Sequence, residues 1–310
     1  MPYPIERKLV IAVASSALFD LSDSHKVFKE QGVEAYRKYQ EENIDNCFPK
    51  GVAFPFVRRL LNLNKVFSKE EPIEVVLLSR NSPETGLRAF RSIKKYGLNI
   101  SRAAFFSGES PYEYLPAFNV SLFLSAEEKD VNNAIAAGYA AGRVLNTTVV
   151  DNEDDVELRL AFDFDGVIAD DEAEKIYQET HDLQKYHDHE EQHANHPLRD
   201  GLLADLLKKI SFFQKLEQKK QKQDSTYKRI LKTSILTARN APSHERMIYT
   251  LKNMGVDVNE AFFLGGIEKA RVLNIMKPHM FFDDQIGHLE HIDKVPAVHI
   301  PFGVVNKKTN

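Results

Sequence analysis

The two halves of this 310-residue chain resemble each other, and this internal repeat constrains the fold more than any other feature of the sequence. The repeat has a period of about 150 to 160 residues. Its clearest pair of segments is VVLLSRNSPETGLRAFRSIKKYGLNISRAAFFSG (75–108) and SILTARNAPSHERMIYTLKNMGVDVNEAFFLGG (234–266). Each segment has the pattern of a strand, a turn with proline, a helix, a glycine and a second strand. Because strands alternate with helices, the sequence predicts an α/β fold with doubly wound parallel sheets.

Two shorter pairs of segments extend the repeat and locate a domain boundary. LVIAVASSALFD (9–20) matches LRLAFDFDGVIA (158–169), and VSLFLS (120–125) matches HMFFDD (279–284); each contains a short apolar run typical of a buried strand. The acidic segment 146–157 lies between the two copies. We therefore expect two domains, 1–150 and 151–310, although the same segment could be a surface loop within one fused sheet.

Composition excludes several classes of partner. The formal net charge of −4 leaves no basic field for a nucleic-acid backbone, so we expect no nucleic-acid partner. No apolar run approaches the roughly 18 to 20 residues that span a bilayer. The first residues, MPYPIERKLVIAVASS, lack the pattern of a secretory signal, and the single cysteine, Cys47, fits a reducing compartment. These features predict a cytoplasmic protein, and a homo-oligomer remains possible.

Four carboxylates follow two of the predicted strands. Asp163 and Asp165 end the run AFDFDG, and because side chains alternate along a strand, both should project the same way at its carboxyl end. Asp283 and Asp284 end the run HMFFDD. Each pair alone is most simply explained as turn chemistry. Together they predict one site for a hard cation such as Mg²⁺ at the edge of a sheet.

Two further side chains between these pairs suit phosphoryl chemistry. Thr237 ends the strand SILT, and Lys269 lies in GGIEKARVL, where a helix is predicted to start. A hydroxyl and an ammonium group can hold phosphoryl oxygens, and phosphoryl transfer depends mainly on positioning and charge neutralisation. The alternative for Lys269 is an ordinary lysine on a helix surface.

The order of these elements, D-x-D-G-V, apolar-Thr, Lys and apolar-Asp-Asp, resembles the four motifs of haloacid dehalogenase superfamily phosphatases. Longer segments are similar to cytosolic 5′-nucleotidases of type I, and the likeness covers nearly the whole chain. In the second half these segments are AFDFDGVIADDEAEKIY, HDHEEQHANHPLRDG, LTARNAPSHER, GGIEKARVL and PHMFFDDQIGHL. In the first half they are AVASSALF, QGVEAYRKYQ, AFPFVRRLL, SGESPYEYLPAF and LFLSAEE.

This resemblance implies a magnesium-dependent phosphatase that hydrolyses nucleoside 5′-monophosphates, with AMP-like substrates preferred. Asp163 would be the nucleophile that forms an aspartyl-phosphate, and Asp165 the general acid and base. Mg²⁺ would bind Asp163, the backbone carbonyl of Asp165, Asp283 and, directly or through water, Asp284. Thr237 would hold the phosphoryl oxygens together with Lys269.

The resemblance also implies a cap over the active site, inserted at about 172–232. Within it, the candidates for nucleoside contacts are His189, Glu190, His193, Asn195 and Pro197, although a role on the cap surface is an equal alternative. Arg239 and Asn240 are further substrate-binding candidates, with turn formation and helix capping as the alternative.

The first half lacks every one of these catalytic groups. We therefore predict that residues 1–150 form a degenerate, non-catalytic copy that supports the substrate site. The residues aligned with the catalytic positions are Ala14 and Ser16, Leu78 opposite Thr237, Tyr112 opposite Lys269, and approximately Leu124 and Ser125 opposite the acidic pair.

Other functions compete with this prediction. His189-Glu190-Glu191-Gln192-His193 fits the H-E-x-x-H pattern of zinc proteases, but its neighbours are polar and Pro197 closes the segment. A non-enzymatic nucleotide sensor could use the same sheet. A sugar-phosphate phosphatase or a nucleoside phosphotransferase could use the same four motifs.

Overall fold

The computed structural model describes residues 3–147 and 151–306, and the chain forms two compact units divided between Val144 and Leu145. We call them unit 1 and unit 2. The predicted boundary segment, 146–157, includes residues 148–150, which lie outside the described residues. The domain limits 1–150 and 151–310 therefore stay predictions.

Unit 1 contains five strands and five α-helices among the residues that the structure describes. The strands are β1 (Leu9–Val13), β2 (Ile73–Ser79), β3 (Arg102–Phe105), β4 (Val120–Ser125) and β5 (Ala141–Val144). The helices are α1 (Ser15–Leu18), α2 (Ser22–Glu42), α3 (Phe54–Val66), α4 (Pro83–Lys95) and α5 (Glu128–Ala136). Three-residue 3₁₀ helices lie at Ile5–Arg7, Tyr112–Tyr114 and Pro116–Phe118.

Unit 2 repeats this alternation of strands and helices. Its strands are β6 (Leu158–Phe162), β7 (Leu231–Thr237), β8 (Glu260–Phe263), β9 (Met280–Asp283) and β10 (Ala297–His299). Its helices are α6 (Glu172–Thr180), α7 (Leu183–Gln192), α8 (Ala204–Gln223), α9 (His244–Asn253), α10 (Lys269–Met276) and α11 (Ile286–Leu289). A 3₁₀ helix lies at Val304–Asn306.

The strands of each unit pair in parallel. In unit 1 the order is β3-β2-β1-β4-β5, and in unit 2 it is β8-β7-β6-β9-β10. Numbered within its own unit, each set of strands has the order 3-2-1-4-5. The prediction of an α/β fold built on parallel sheet and helices is confirmed.

Continuous apolar runs form the central strands. Every residue of β1 and β2 is buried, as expected for parallel strands that are covered on both faces. In unit 2, all four residues of β9 are buried, including Asp283 at its end. Full burial of one such aliphatic or aromatic side chain contributes about 1.5 to 3 kcal/mol. This apolar framework holds the strand ends rigidly, so the polar residues that follow them have defined positions.

The range predicted as a cap, 172–232, contains α6, α7 and α8. Helix α8 buries Leu206, Leu207, Ile210 and Phe213, and its Gln214 donates a hydrogen bond to Thr233 of β7 at 3.1 Å. This helix therefore packs beside β7, whereas α6 and α7 bury one residue each, Ala173 and Glu190. Over residues 3–147 and 151–306, no helix combines the length and apolar character needed to cross a membrane.

Candidate active site

The carboxyl ends of β6 and β9 bring four carboxylates to one edge of the unit 2 sheet. The two strands are neighbours, and the backbone N–H of Asp163 donates to the carbonyl of Phe282 at 2.8 Å. Asp163, Asp283 and Asp284 are buried, and Asp165 is partly exposed. Because the strands are parallel, both acidic pairs lie where open α/β sheets bind ligands.

Lys269 lies between two of these acids. Its ammonium group is 2.7 Å from Asp163 Oδ2 and 2.7 Å from Asp283 Oδ2. The side chain is buried at the first residue of α10, so the alternative of a lysine on the helix surface is wrong. Burial alone would lower the pKa of Lys269, but the two carboxylates outweigh it and hold the pKa above its ordinary value.

The charges at this cluster fit a divalent cation. Three buried carboxylates, those of Asp163, Asp283 and Asp284, face a single ammonium group, which leaves a formal charge of −2 if all three are ionised. Burial, and then repulsion from the neighbouring carboxylates, raises the pKa of Asp284. Its Oδ1 atom is buried and has no hydrogen-bond partner among the described residues. An oxygen-seeking cation would satisfy this atom and balance the charge.

Gly166 makes room for Asp284. Its φ is +72°, and a Cβ atom added there would lie 2.3 Å from Asp284 Oδ2. A side chain at this position would therefore displace one of the candidate ligands. The glycine that follows the D-x-D motif is required both by its positive φ and by this close approach.

Thr237 is buried at the end of β7, next to β6 in the sheet. Its Oγ1 accepts a hydrogen bond from the backbone N–H of Arg239 at 3.1 Å. This bond fixes the threonine side chain and shapes the turn that carries Arg239. The hydroxyl hydrogen remains available to an acceptor at the strand ends.

Arg239 binds Asp165 with two hydrogen bonds. Its Nε donates to Asp165 Oδ2 and its Nη2 to Asp165 Oδ1, each at 2.7 Å. Its Nη1 donates to Glu190 and, at 3.0 Å, to the carbonyl of Ser243. These bonds use four of the five guanidinium N–H donors on protein atoms, and bidentate pairing holds Asp165 in one orientation.

Glu190 connects this pair to a longer chain of charges. The glutamate is buried, and besides Arg239 it accepts from Arg246 Nη1 at 2.8 Å. Arg246 also donates to Glu172 on α6 at 2.8 Å. The carboxylate of α7 thus lies between two buried guanidinium groups, an arrangement in which removing one partner leaves buried charge uncompensated.

The matching family model, described as 5′-nucleotidase, covers residues 1–307 of this chain. The chain belongs to the 5′-nucleotidase family. The membership predicted from the sequence motifs is therefore confirmed, and the match includes both units.

One curated relative of the 5′-nucleotidase family is cytosolic 5′-nucleotidase 1B of Homo sapiens. It is 31% identical over a match of 305 residues, and the match covers 96% of this chain and 49% of the relative. The chain therefore spans about half the length of the curated relative that it matches. A comparison with solved structures found the S. aureus MnaA-UDP co-structure, at 9% identity over 92% of this chain and 76% of that chain. Its TM-score of 0.20 does not indicate a shared fold.

The other predicted substrate residues of this 5′-nucleotidase family member lie in α7, directly after α7, and in the turn after β7. The rings of His189 and His193 stack with centroids 4.2 Å apart, and His189 is 3.4 Å from Glu172. Asn195 is exposed. Asn240 is also exposed, and its side chain lies against Gly265.

The geometry does not support the zinc-protease alternative. Glu190 of the H-E-x-x-H pattern binds two arginines, which leaves it unsuited to activate a water molecule. Among the described residues, the three potential metal ligands that converge within 4.8 Å are Asp163, Asp283 and His288. Neither histidine of the pattern belongs to this group.

Sequence reasoning missed His288 and the pairing of Arg239 with Asp165 and Glu190. His288 Nδ1 is 3.2 Å from both carboxylate oxygens of Asp283, and together with Lys269 it outweighs the effect of burial and lowers the pKa of that acid. The sequence signal that could have identified His288 is its position five residues after Asp283, which ends a strand. The sequence signal for the pairing of Glu190 was weaker, because nothing nearby in the sequence indicates that an acid in a polar helix is buried.

The strand registers correct the predicted correspondence between the halves. Val13 and Phe162 end β1 and β6, and they pair with Leu77 and Ile235 respectively. Two residues beyond Leu77 and Ile235 along the same strands, Ser79 corresponds to Thr237, in place of Leu78. Phe162 pairs with Phe282 and Val13 with Leu124, so Asp283 corresponds to Ser125. The same offset of 158 residues holds in the turn after β2, where the backbone N–H of Asn81 donates to Ser79 Oγ as that of Arg239 donates to Thr237 Oγ1.

Proposed function

We propose that this chain is a Mg²⁺-dependent phosphatase that hydrolyses nucleoside 5′-monophosphates, AMP-like ones preferred, to a nucleoside and phosphate. The observation that carries the proposal is the cluster at the ends of β6, β7 and β9. Four carboxylates, one buried ammonium and one buried hydroxyl lie at a single sheet edge in a member of the 5′-nucleotidase family. The named activity of the curated relative supports the same substrate class, and its printed name supports a cytoplasmic location.

We propose that each unit has a haloacid dehalogenase-like fold and that the units are copies of one repeat. The shared strand order, 3-2-1-4-5, supports this relation. In unit 2, α6 and α7 form the cap. Unit 1 is the non-catalytic copy, because Ala14, Ser16, Ser79 and Ser125 occupy the positions of Asp163, Asp165, Thr237 and Asp283.

Asp163 is the nucleophile in this proposal. Its Oδ1 accepts from the backbone N–H of Phe164 at 2.7 Å, which fixes the carboxylate, and its Oδ2 contacts Lys269. A carboxylate oxygen attacks phosphorus, the bond from phosphorus to the 5′-oxygen breaks, and an aspartyl-phosphate forms. Lys269 and Thr237 hold the phosphoryl oxygens, whose negative charge they offset.

Asp165 carries the proton that this reaction moves. It protonates the departing 5′-oxygen, then takes a proton from the water that attacks the aspartyl-phosphate, which releases phosphate and restores Asp163. In the structure Asp165 is bound to Arg239 through both oxygens. Arg239 is therefore a positioning residue in this proposal, and Asp165 must release at least one of these bonds to act as an acid.

The cation would be held by Asp163, the backbone carbonyl of Asp165, Asp283 and Asp284. The unpaired Oδ1 of Asp284 and the excess of buried carboxylates support this set of ligands. When bound, Mg²⁺ would supply the positive charge that lets an anionic nucleophile approach an anionic phosphate. His189, His193, Asn195 and Asn240 remain proposed contacts for the nucleoside.

The test is phosphate release from a panel of nucleoside 5′-monophosphates and sugar phosphates, with Mg²⁺ and with EDTA. We expect release from AMP or a related nucleotide in Mg²⁺ only. Asp163→Asn should abolish it, a loss of at least about 10⁴-fold. Release that favours sugar phosphates, or that is indifferent to Asp163, would overturn the proposal.

A further inference from the structure

Unit 1 contains a cavity of about 430 Å³ at the carboxyl ends of its own strands. In unit 2, the carboxyl ends of the strands carry the carboxylates. The floor includes Ser15 and Ser16 after β1, Ser79 at the end of β2, and Asn81 in the turn that follows. The volume lies within the usual range for small-molecule sites, roughly 300 to 1,000 Å³.

Hydroxyl groups replace the charged groups of unit 2 on this floor. Ser15 Oγ and Ser79 Oγ are 2.8 Å apart, and Ser16 Oγ accepts from the backbone N–H of Ala126 at 3.4 Å. A hydroxyl can both donate and accept, so such a floor suits a ligand that itself carries hydroxyl groups.

The charges that line the cavity cancel. Arg80 is bound to Asp130 through three hydrogen bonds of 2.8 to 3.0 Å, and Asp130 is buried. The other charged groups, Arg37 and Glu127, are exposed and opposite in sign, and His25 is the remaining titratable group of the lining apart from Tyr36. A phosphate ester would find no excess of positive charge, and a metal ion no cluster of carboxylates. An uncharged ligand fits this balance.

One wall of the cavity is aromatic and apolar. Phe28 and Tyr36 on α2 meet edge to face with ring centroids 5.8 Å apart, and the His25 ring lies 6.5 Å from Phe28. Leu21 and Val33 line the same side. A flat aromatic group packs favourably against such rings.

Asn81 adds an unused donor. Its Oδ1 accepts from the Tyr36 hydroxyl at 3.1 Å, whereas its Nδ2 is buried and has no hydrogen-bond partner within the described ranges. A buried amide without a partner costs free energy that an acceptor on a ligand would recover. The position next to Ser79 makes Asn81 a candidate for recognising that ligand.

We propose that this cavity is a second ligand site, in unit 1, and that it binds a nucleoside. A nucleoside combines an uncharged aromatic base with a hydroxylated sugar, which matches the aromatic wall, the hydroxyl floor and the cancelled charge. The site goes beyond the proposed function, because it assigns binding to the unit without catalytic groups. The nucleoside is also the uncharged product class of the proposed reaction, although the binding argument does not depend on that reaction.

The chain has no tryptophan, so Phe28→Trp would place a single reporter in the cavity wall. Phe28 is 45% exposed and tolerates the larger ring. We expect a saturable change in tryptophan emission when the full chain is titrated with adenosine, at least about tenfold tighter than with AMP, and no response to inorganic phosphate. Both titrations are carried out in EDTA, where the proposed hydrolysis of AMP does not occur, so the binding test can fail or succeed independently of the phosphatase activity.

Two further variants assign the signal to the cavity. Tyr177→Trp, at a residue of similar exposure in α6, should not show the same saturation curve. Asn81→Leu in the Phe28→Trp background should weaken adenosine binding at least about tenfold. If thermal unfolding shows that Asn81→Leu is misfolded, Tyr36→Phe replaces it, with a smaller expected loss. No saturable response, equal binding of AMP, or unchanged affinity in a folded Asn81→Leu variant, or in Tyr36→Phe where it replaces that variant, would overturn the proposal.

Discussion

Units 1 and 2 share their hydrogen-bonded framework and differ in their charges. In unit 1 the backbone N–H of Phe48 donates to Ser92 Oγ at 3.0 Å, and in unit 2 that of Leu198 donates to Thr250 Oγ1 at 3.1 Å. Likewise, Arg88 Nε donates to the carbonyl of Asn46 at 2.7 Å, and Arg246 Nε to that of His196 at 2.9 Å. Each of these bonds has a backbone group as one partner, so it does not depend on which side chains lie at the strand ends.

The charged groups differ together. Arg246 meets Glu190 in unit 2, whereas Arg88 meets Gln40 in unit 1. Ala14, Ser16 and Ser125 follow or end the strands of unit 1, whereas the acids and Lys269 lie at the strand ends of unit 2. Because an uncompensated buried charge is costly, a buried ammonium is expected together with the acids that it contacts. The comparison teaches that the framework and the chemistry of this fold can vary independently.

Removing the buried ammonium of unit 2 should have the largest effect. Lys269→Met leaves Asp163 and Asp283 without their shared cation, and we expect phosphate release to fall about 10³-fold, or about 4 kcal/mol. The matched change in unit 1, Tyr112→Phe, should alter the rate less than about twofold. Steady-state rates in Mg²⁺ measure both. A Lys269→Met enzyme within tenfold of wild type would show that the cluster is not the reaction centre.

Glu190→Gln would make unit 2 resemble unit 1. Arg239 and Arg246 would lose the carboxylate that they share, and we expect unfolding free energy to fall by about 3 kcal/mol. Urea unfolding measures the change. The exposed neighbour provides the control, since Glu191→Gln should cost less than about 0.5 kcal/mol. Equal effects of the two substitutions would mean that the arginines do not need Glu190.

Two equivalent glycines should be equally intolerant of a side chain. A Cβ atom at Gly201 would lie 2.4 Å from the carbonyl oxygen of Ala169, and one at Gly51 would lie 2.7 Å from the backbone of Phe19. We expect Gly201→Ala and Gly51→Ala each to destabilise the chain by about 2 kcal/mol in thermal or urea unfolding. Gly287→Ala, which meets no atom within 4 Å, is the control. A large difference between the two equivalent positions would contradict a shared framework.

The reverse substitution in unit 1, Gln40→Glu, should slightly increase the free energy of unfolding. Gln40 Oε1 accepts from Arg88 at 3.2 Å, but its Nε2 is buried without a partner among the described residues. Gln40→Glu removes that unsatisfied donor and adds a charge-assisted bond, so we expect a gain of about 1 kcal/mol in urea unfolding. A clear loss would show that the cost of burying the carboxylate exceeds the gain from pairing.

The fold was largely predictable because its signals are local. Apolar runs of four to seven residues mark strands such as β1 and β2, and Ser82 followed by Pro83 marks the start of α4 with a reciprocal cap from Thr85. The cap range 172–232 stays a prediction. Its last helix, α8, packs beside β7 and buries apolar residues on one face, and that placement depends on residues distant in the sequence.

By itself, the sequence determined the order of strands and helices, the family, and which acids follow which strands. Those properties depend on neighbours along the chain. Only the tertiary structure decided that Lys269 is buried between two acids, that Arg239 binds both carboxylate oxygens of Asp165, and that Glu190 lies between two arginines. Lys269 is 14 and 106 residues from its two acids, and Arg239 is 74 residues from Asp165. Glu190 is 49 and 56 residues from its two arginines. The hydrophobic periodicity of a sequence does not show which distant side chain neutralises a buried charge, because that pairing depends on how the helices and strands pack together.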